Sequence, residues 1–264
     1  MDAATHSTGR KTSTGWRGLL GDHALVADAH LWPRRDLLVA AGLWLFGALV
    51  LAALSVAAHR YPEFPGDVGI TTIVQQIRST PLAPLINFAS DVNWPTPAGI
   101  TALVVIVLLA LSQHIRAAIC TAVASFGADL ANVMLNGLVA RSRPQGIHIH
   151  VVAHLGLHSF PSGHVTHVVG FYGFLFYLSL RAERGHPAWR PWLLALRAIC
   201  LYFLIAIGIS RLLEGEHWPS DVLASYVLGA LVLALAILLY HLLAVAWVHV
   251  EAARHHHAPA AAHE

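Results

Sequence analysis

From Leu37 to Ala58 the chain runs 22 residues without a charge. A helix that crosses the hydrocarbon core of a bilayer needs about 20 such residues. Five more apolar stretches follow: Thr96–Ser112, Ala117–Ala140, Pro161–Leu180, Leu193–Leu213, and Pro219 to about Val250. The last spans 32 residues, more than a bilayer requires, and is expected to tilt or protrude. Only 11% of the 264 residues are charged and 56% are hydrophobic, whereas a soluble domain carries about 25% charged residues. The expected fold class is all-α, an integral membrane bundle of six transmembrane helices.

Between the first two spans, residues 61–94 are interrupted by Pro62, Pro65, Pro81 and Pro84 and are not expected to span. Within them Val68, Ile70, Ile73, Val74 and Ile77 fall opposite Gln75, Gln76 and Arg78, the pattern of an amphipathic interfacial segment. Residues 1–36 read as a polar cytoplasmic segment, part of whose 18–32 stretch lies on the membrane surface. Residues 37–250 form the membrane domain, and 251–264 a polar tail. No cleaved signal is expected, because the first apolar run begins only near Leu37. Cys120 and Cys200 sit in apolar stretches and read as small core or lipid-facing residues without a disulfide framework.

Six spans place both termini on one side. With the N-terminus inside, the cytoplasmic segments hold eleven of the Lys and Arg residues and the outer segments five. The outer five are Arg60, Arg78, Arg141, Arg143 and Arg211. This bias favours cytoplasmic termini in the cell membrane. A net charge of +2 is too small to point to nucleic acid.

Three polar stretches then fall at the outer ends of spans: Arg141-Ser142-Arg143-Pro144, Pro161-Ser162-Gly163-His164, and the run from Ser210 to Asp221. In the third, His217 and Asp221 are four apart with Pro219 between them, so His217 precedes a helix and Asp221 lies in its first turn. That spacing brings a carboxylate within reach of the imidazole. In the second, Ser162 suits a helix N-cap, Gly163 lets an oxyanion approach the backbone, and His164 sits in the first turn. The forks of Arg143 and Arg211 match phosphate oxygens. Two histidines beside one anion suggest a nucleophile and a proton donor.

These stretches resemble the signature of the type 2 phosphatidic acid phosphatase family: Lys-x6-Arg-Pro, Pro-Ser-Gly-His and Ser-Arg-x5-His-x3-Asp. The last two match in full. The resemblance implies a metal-independent lipid phosphatase without a cofactor, with a lipid phosphate as its partner and membrane lipids around it. The implied substrate is a phosphatidate, a phosphatidylglycerol phosphate or a polyprenyl pyrophosphate. It implies His217 as the nucleophile that forms a phosphohistidine, Asp221 as its orienting partner, and His164 as general acid. Arg143, Arg211, Ser162 and Gly163 would hold the phosphate. The family's lysine is replaced here by Asn136, which can donate a hydrogen bond but brings no charge; nearby Arg141 is the candidate substitute. Two alternatives share the signature: a phosphotransferase using the same intermediate, and a weakly active or inactive lipid-phosphate-binding homologue. A related haloperoxidase holds vanadate in a similar cradle but is generally soluble, and six spans argue against it.

Four further features invite functional readings. His148, His150, His154 and His158 alternate in the outer loop and read as lining its entrance, with a metal site as the rival. Ser125, Asp129, Asn132 and Asn136 recur at steps of four, three and four, on one face of the third span. Asp129 reads as hydrogen-bonded to Asn132 or Asn136. His167 shares the face of His164 and reads as a packing or supporting residue.

Overall fold

The computed structural model describes residues 33–145, 148–153 and 158–256. The expected surface stretch at 18–32, most of the N-terminal segment, His154 and residues 257–264 lie outside the described residues. The described chain forms α1 (Arg34–Arg60), α2 (Asp67–Gln75), α3 (Ala83–Val92), α4 (Pro95–Leu111), α5 (Ile115–Val139), α6 (Gly163–Gly185), α7 (Arg190–Leu213) and α8 (Pro219–His256). Single 3-10 turns lie at Gln76–Ser79 and Pro187–Trp189. No strand occurs among the described residues.

Five helical stretches, α1, α5, α6, residues 187–213 and α8, are each long and apolar enough to cross a bilayer. A sixth crossing exists only if α3 and α4, bent by 65° at Asn93–Trp94, count as one broken span. The 17 residues of α4 fall short of the ~20 needed. The break has a local cause. Trp94 precedes Pro95 and takes an extended conformation, as residues before proline prefer. Asn93 folds back, its Nδ2 donating to the Ala89 carbonyl at 2.8 Å.

The centre of the bundle is α6, which packs against α5, α7 and α8. In its most apolar stretch 61% of residues are buried, against none in α1. At Gly170 a side chain would start 2.0 Å from the Ala124 carbonyl oxygen, so glycine is what lets α5 and α6 cross this closely. The facing stripe of α5 is correspondingly small: Ala117, Cys120, Ala124 and Ala128 are all buried. Cys120 and Cys200 are both buried and free. By contrast α1 rides outside, touching the bundle mainly along α8, where Trp44 Nε1 donates to the Leu231 carbonyl at 3.1 Å. Its Leu38, Leu43, Phe46 and Leu49 are exposed, an apolar surface that suits lipid. The protein is a multi-pass membrane protein.

The segment between the first two spans has its polar side against the protein. Asp67 and Thr71 of α2 are buried while Ile70 and Ile73 are exposed. Gln75 and Arg78, expected opposite the apolar positions, bond to the protein: Gln75 Nε2 donates to the His150 carbonyl at 2.7 Å and Arg78 Nη1 to the Leu213 carbonyl at 3.3 Å. The reason is the C-terminus of α7, whose last carbonyls need donors from outside their own helix. Two boundaries also move. Helix α6 continues to Gly185, beyond the expected end of the span at Leu180. Helix α8 continues to His256, so residues 251–256 are helical where a tail is expected.

The ends of α1, α5 and α7 and the starts of α6 and α8 meet at one end of the bundle. His59 Nδ1 hydrogen-bonds the Val139 carbonyl at 3.0 Å there, joining the last turn of α1 to that of α5. At the opposite end, Arg116 lies 3.9 Å over the Tyr240 ring.

Candidate active site

Helix α5 stops at Ala140, whose φ of 51° turns the backbone into the left-handed region. The turn sends Arg141 inward, where it is fully buried. Its Nη1 donates to Asp221 Oδ1 at 2.5 Å and to Ser220 Oγ at 2.7 Å, its Nη2 to Asp67 Oδ2 at 2.9 Å, and its Nε to the Pro62 carbonyl at 3.2 Å. The guanidinium also lies 4.5 Å over the Phe64 ring. Every nitrogen of Arg141 is therefore spent on the protein, and it cannot supply the charge absent at Asn136.

Beyond Arg141 the chain is tied to the stretch that leads into α6. Ser159 N donates to the Arg141 carbonyl at 2.8 Å, and Ser159 Oγ to the Ser142 carbonyl at 3.0 Å. This fixes the Ser159 carbonyl, which lies 2.7 Å from His217 Nδ1. A carbonyl can only accept, so Nδ1 carries a proton, and in the neutral ring the lone pair is on Nε2. Asp221 does not make that bond. Its Oδ2 is 3.9 Å from His217 Nδ1 and instead accepts from Trp218 N at 2.9 Å. The carboxylate caps the start of α8 and pairs with Arg141, so it holds the His217 turn through the backbone. The four-residue spacing is as expected, but the backbone N–H of Trp218 lies nearer to the carboxylate than the ring does.

The turn itself, residues 214–218, needs Gly215 at φ 69°, where a side chain would start 2.3 Å from the His150 carbonyl oxygen. Arg211 lies beneath it, buried, with Nη1 donating to Glu216 Oε2 at 2.7 Å and Nη2 to Glu214 Oε2 at 2.5 Å and to Ser90 Oγ. The expected phosphate fork of Arg211 is thus occupied by two carboxylates. Burial pushes the Glu216 carboxyl up, partly offset by the charges of Arg211 and Arg143. Burial pushes His217 well below the ordinary imidazole value, and Arg143, Arg211 and His164 add to that. The lowered value favours the neutral imidazole, whose lone pair is on Nε2.

Arg143 is the arginine that faces the open space. Its Nη1 donates to the Glu216 carbonyl at 2.8 Å and stands 3.5 Å from His217 Nε2. Both residues line a cavity of about 570 Å³, together with Gly163, His164, Asn136 and His167. Gly163 and His164 are there because α6 starts at Gly163, placing both in its first turn. Ser162 N is claimed by Ser225 Oγ at 2.6 Å. The expected cap by the Ser162 side chain is not made, and Ser162 Oγ is buried without a partner. The His164 ring packs at 5.2 Å against Trp94, tilted by 54°, at the α3–α4 break, and its Nε2 is buried without a partner.

This constellation coincides with a family match. Residues 115–244 match the model of the PAP2 superfamily. The chain belongs to that superfamily. It is 31% identical over 112 residues to a lipid A 1-phosphatase of Rhizobium johnstonii, a match covering 40% of each chain. The chain thus aligns with well under half of that relative's length. It is also similar to the crystal structure of a transmembrane PAP2-type phosphatidylglycerolphosphate phosphatase from Bacillus subtilis. The TM-score is 0.61 at 20% identity, over 73% of this chain and 93% of that one, a likeness of fold.

Within the PAP2 cavity the sequence-derived candidates separate. His217, His164, Arg143, Gly163 and Asn136 line it, whereas Asp221, Arg211 and Ser162 stand behind its wall. Asn136 uses its amide on the loop, Nδ2 donating to the His158 carbonyl at 3.0 Å and the Phe160 carbonyl at 3.1 Å. Of the loop histidines, His158 lines the cavity. His150 instead joins Gln75 and sits with its Nε2 3.4 Å from Arg78 Nη2. No cluster of three or more metal-ligating side chains occurs among the described residues. Asp129 and His167 also line the cavity, and they pair with each other: His167 Nδ1 lies 3.0 and 3.1 Å from the Asp129 oxygens. Asn132, expected to bond Asp129, donates to the Pro161 carbonyl at 3.1 Å instead. Both halves of the Asp129–His167 pair have the right helical phase in the sequence; their meeting across two helices is not a local signal.

Proposed function

We propose that this PAP2 protein is a membrane lipid phosphatase working through a phosphohistidine. The observation that carries the reading is the state of His217: Nδ1 is tied to the Ser159 carbonyl while the residue lines a cavity with Arg143 and His164. In the reaction His217 Nε2 attacks phosphorus. Arg143 offsets the charge gathering on the phosphoryl oxygens. The ester bond breaks, and the leaving oxygen takes a proton from His164. Water then attacks the phosphohistidine, giving its proton to His164, and releases inorganic phosphate. Arg211 binds no phosphate in this scheme; it holds the 214–218 turn through Glu214 and Glu216.

The substrate's tails stay in lipid while its phosphate enters between helix ends. The arginine bias of the sequence puts those ends on the extracytoplasmic side, with cytoplasmic termini and the 37–250 bundle crossing six times in the cell membrane. Phosphatidate, phosphatidylglycerol phosphate and polyprenyl pyrophosphate are the substrates to offer. The lipid A 1-phosphatase likeness adds a lipid-linked sugar 1-phosphate to that panel.

The test is phosphate release by the purified protein across this panel, with His217→Ala alongside. Release by the parent and a loss of at least about 10⁴-fold in the variant are expected. Full activity in His217→Ala defeats the mechanism; label appearing on an added alcohol in place of free phosphate makes the protein a transferase.

A further inference from the structure

The cavity has an imbalance that the proposed mechanism does not use. A phosphate monoester brings between one and two negative charges, and Arg143 is the single lysine or arginine among the residues lining the space. Arg141 and Arg211 are both buried and committed to carboxylates. The same cavity is lined by His167, one turn along α6 from His164. Its side chain is 6% exposed, its Nδ1 is engaged by Asp129, and its Nε2 is buried with no hydrogen-bond partner. Buried polar atoms in folded proteins are nearly always paired, and an orphan on a cavity wall marks a place for a ligand. His164 Nε2 is a second orphan on the same wall. The Asp129 side chain is 41% exposed while it holds the His167 ring.

We propose that His167, fixed by Asp129, is an additional phosphate-binding residue of this cavity. Carrying a proton on Nε2, it donates to a phosphoryl oxygen. The Asp129–His167 pair then turns its positive end toward the phosphate, a charge-assisted donor in a cavity where Asn136 brings no charge, without adding net charge. This rests on the phosphatase reading for its ligand, but binding can be read without turnover.

The measurement is equilibrium binding of inorganic phosphate to detergent-purified protein in a His217→Ala background, where no chemistry intervenes. His167→Gln is expected to weaken phosphate by about 10–100-fold, the loss of one charge-assisted hydrogen bond. Asp129→Asn is expected to weaken it about tenfold. Adding Asn136→Lys to His167→Gln puts a cation back on the same cavity wall and is expected to recover at least about tenfold. Phosphate affinity within about twofold of the parent in His167→Gln, no recovery with Asn136→Lys, or no phosphate binding to the parent would each overturn the assignment. Should His167→Gln fail to purify folded, Asp129→Asn carries the same decision. A protein that releases no phosphate from any lipid yet shows this binding pattern loses the phosphatase reading and keeps the site.

Discussion

Two buried arginine neighbourhoods flank this cavity and behave differently. Behind His217, Arg141 and Arg211 are each paired with two carboxylates, and neither lines the cavity. Facing His217, Arg143 is only partly buried and lines the space. All three lie in motif stretches, at positions that sequence spacing treats alike. What separates them is who reaches them first. Asp67 and Asp221 converge on Arg141 from α2 and α8, and Glu214 and Glu216 on Arg211 from its own turn, whereas Arg143 meets a backbone carbonyl and an imidazole.

The largest effect that would sharpen the contrast is on stability. Arg141→Ala leaves Asp67 and Asp221 buried without their cation, and such a loss costs about 3–5 kcal/mol. A sharply lower unfolding midpoint in detergent is expected; an unchanged midpoint would break the distinction. Arg143→Ala should do the opposite. Phosphate release falls about 10²–10³-fold, the scale for one electrostatic donor to a developing oxyanion, while the midpoint stays near the parent's. The smallest effect is on pH. His217 sits below the ordinary imidazole value because of burial and the neighbouring Arg143, Arg211 and His164 charges. A lowered value means the neutral nucleophile persists as pH falls, so the acidic limb of kcat/KM for lipid phosphate is expected below pH 6.5. Arg143→Ala removes one of those charges and moves the limb upward; a limb above 7 in the parent would contradict the geometry of the turn.

Much of the fold was legible because lipid imposes a simple rule. Long uncharged runs such as Leu37–Ala58 become helices, since the membrane offers their backbones no other partner. The motif residues His217, His164 and Arg143 were legible too, because each is placed by a local event: a turn before Pro219, a first helical turn, the end of α5. The 61–94 segment was not. Its apolar and polar positions read as a surface helix, yet Asp67 and Gln75 turn inward to meet Arg141 and the His150 carbonyl. Periodicity reports which side is apolar, not which buried group on another helix needs a partner.

The same limit sorts the site. Sequence alone supplied the membrane helices, the two histidines and the arginine that share a cavity, because those follow from composition and from spacing within single turns. It could not show that Ser159 rather than Asp221 holds the His217 ring, that Arg211 is already neutralised, or that Asp129 of α5 finds His167 of α6. Those outcomes depend on distances between segments far apart in the chain, set by how closely α5, α6 and α8 pack. A crossing as tight as Gly170 on the Ala124 carbonyl decides which polar atoms meet and which are left open to a ligand.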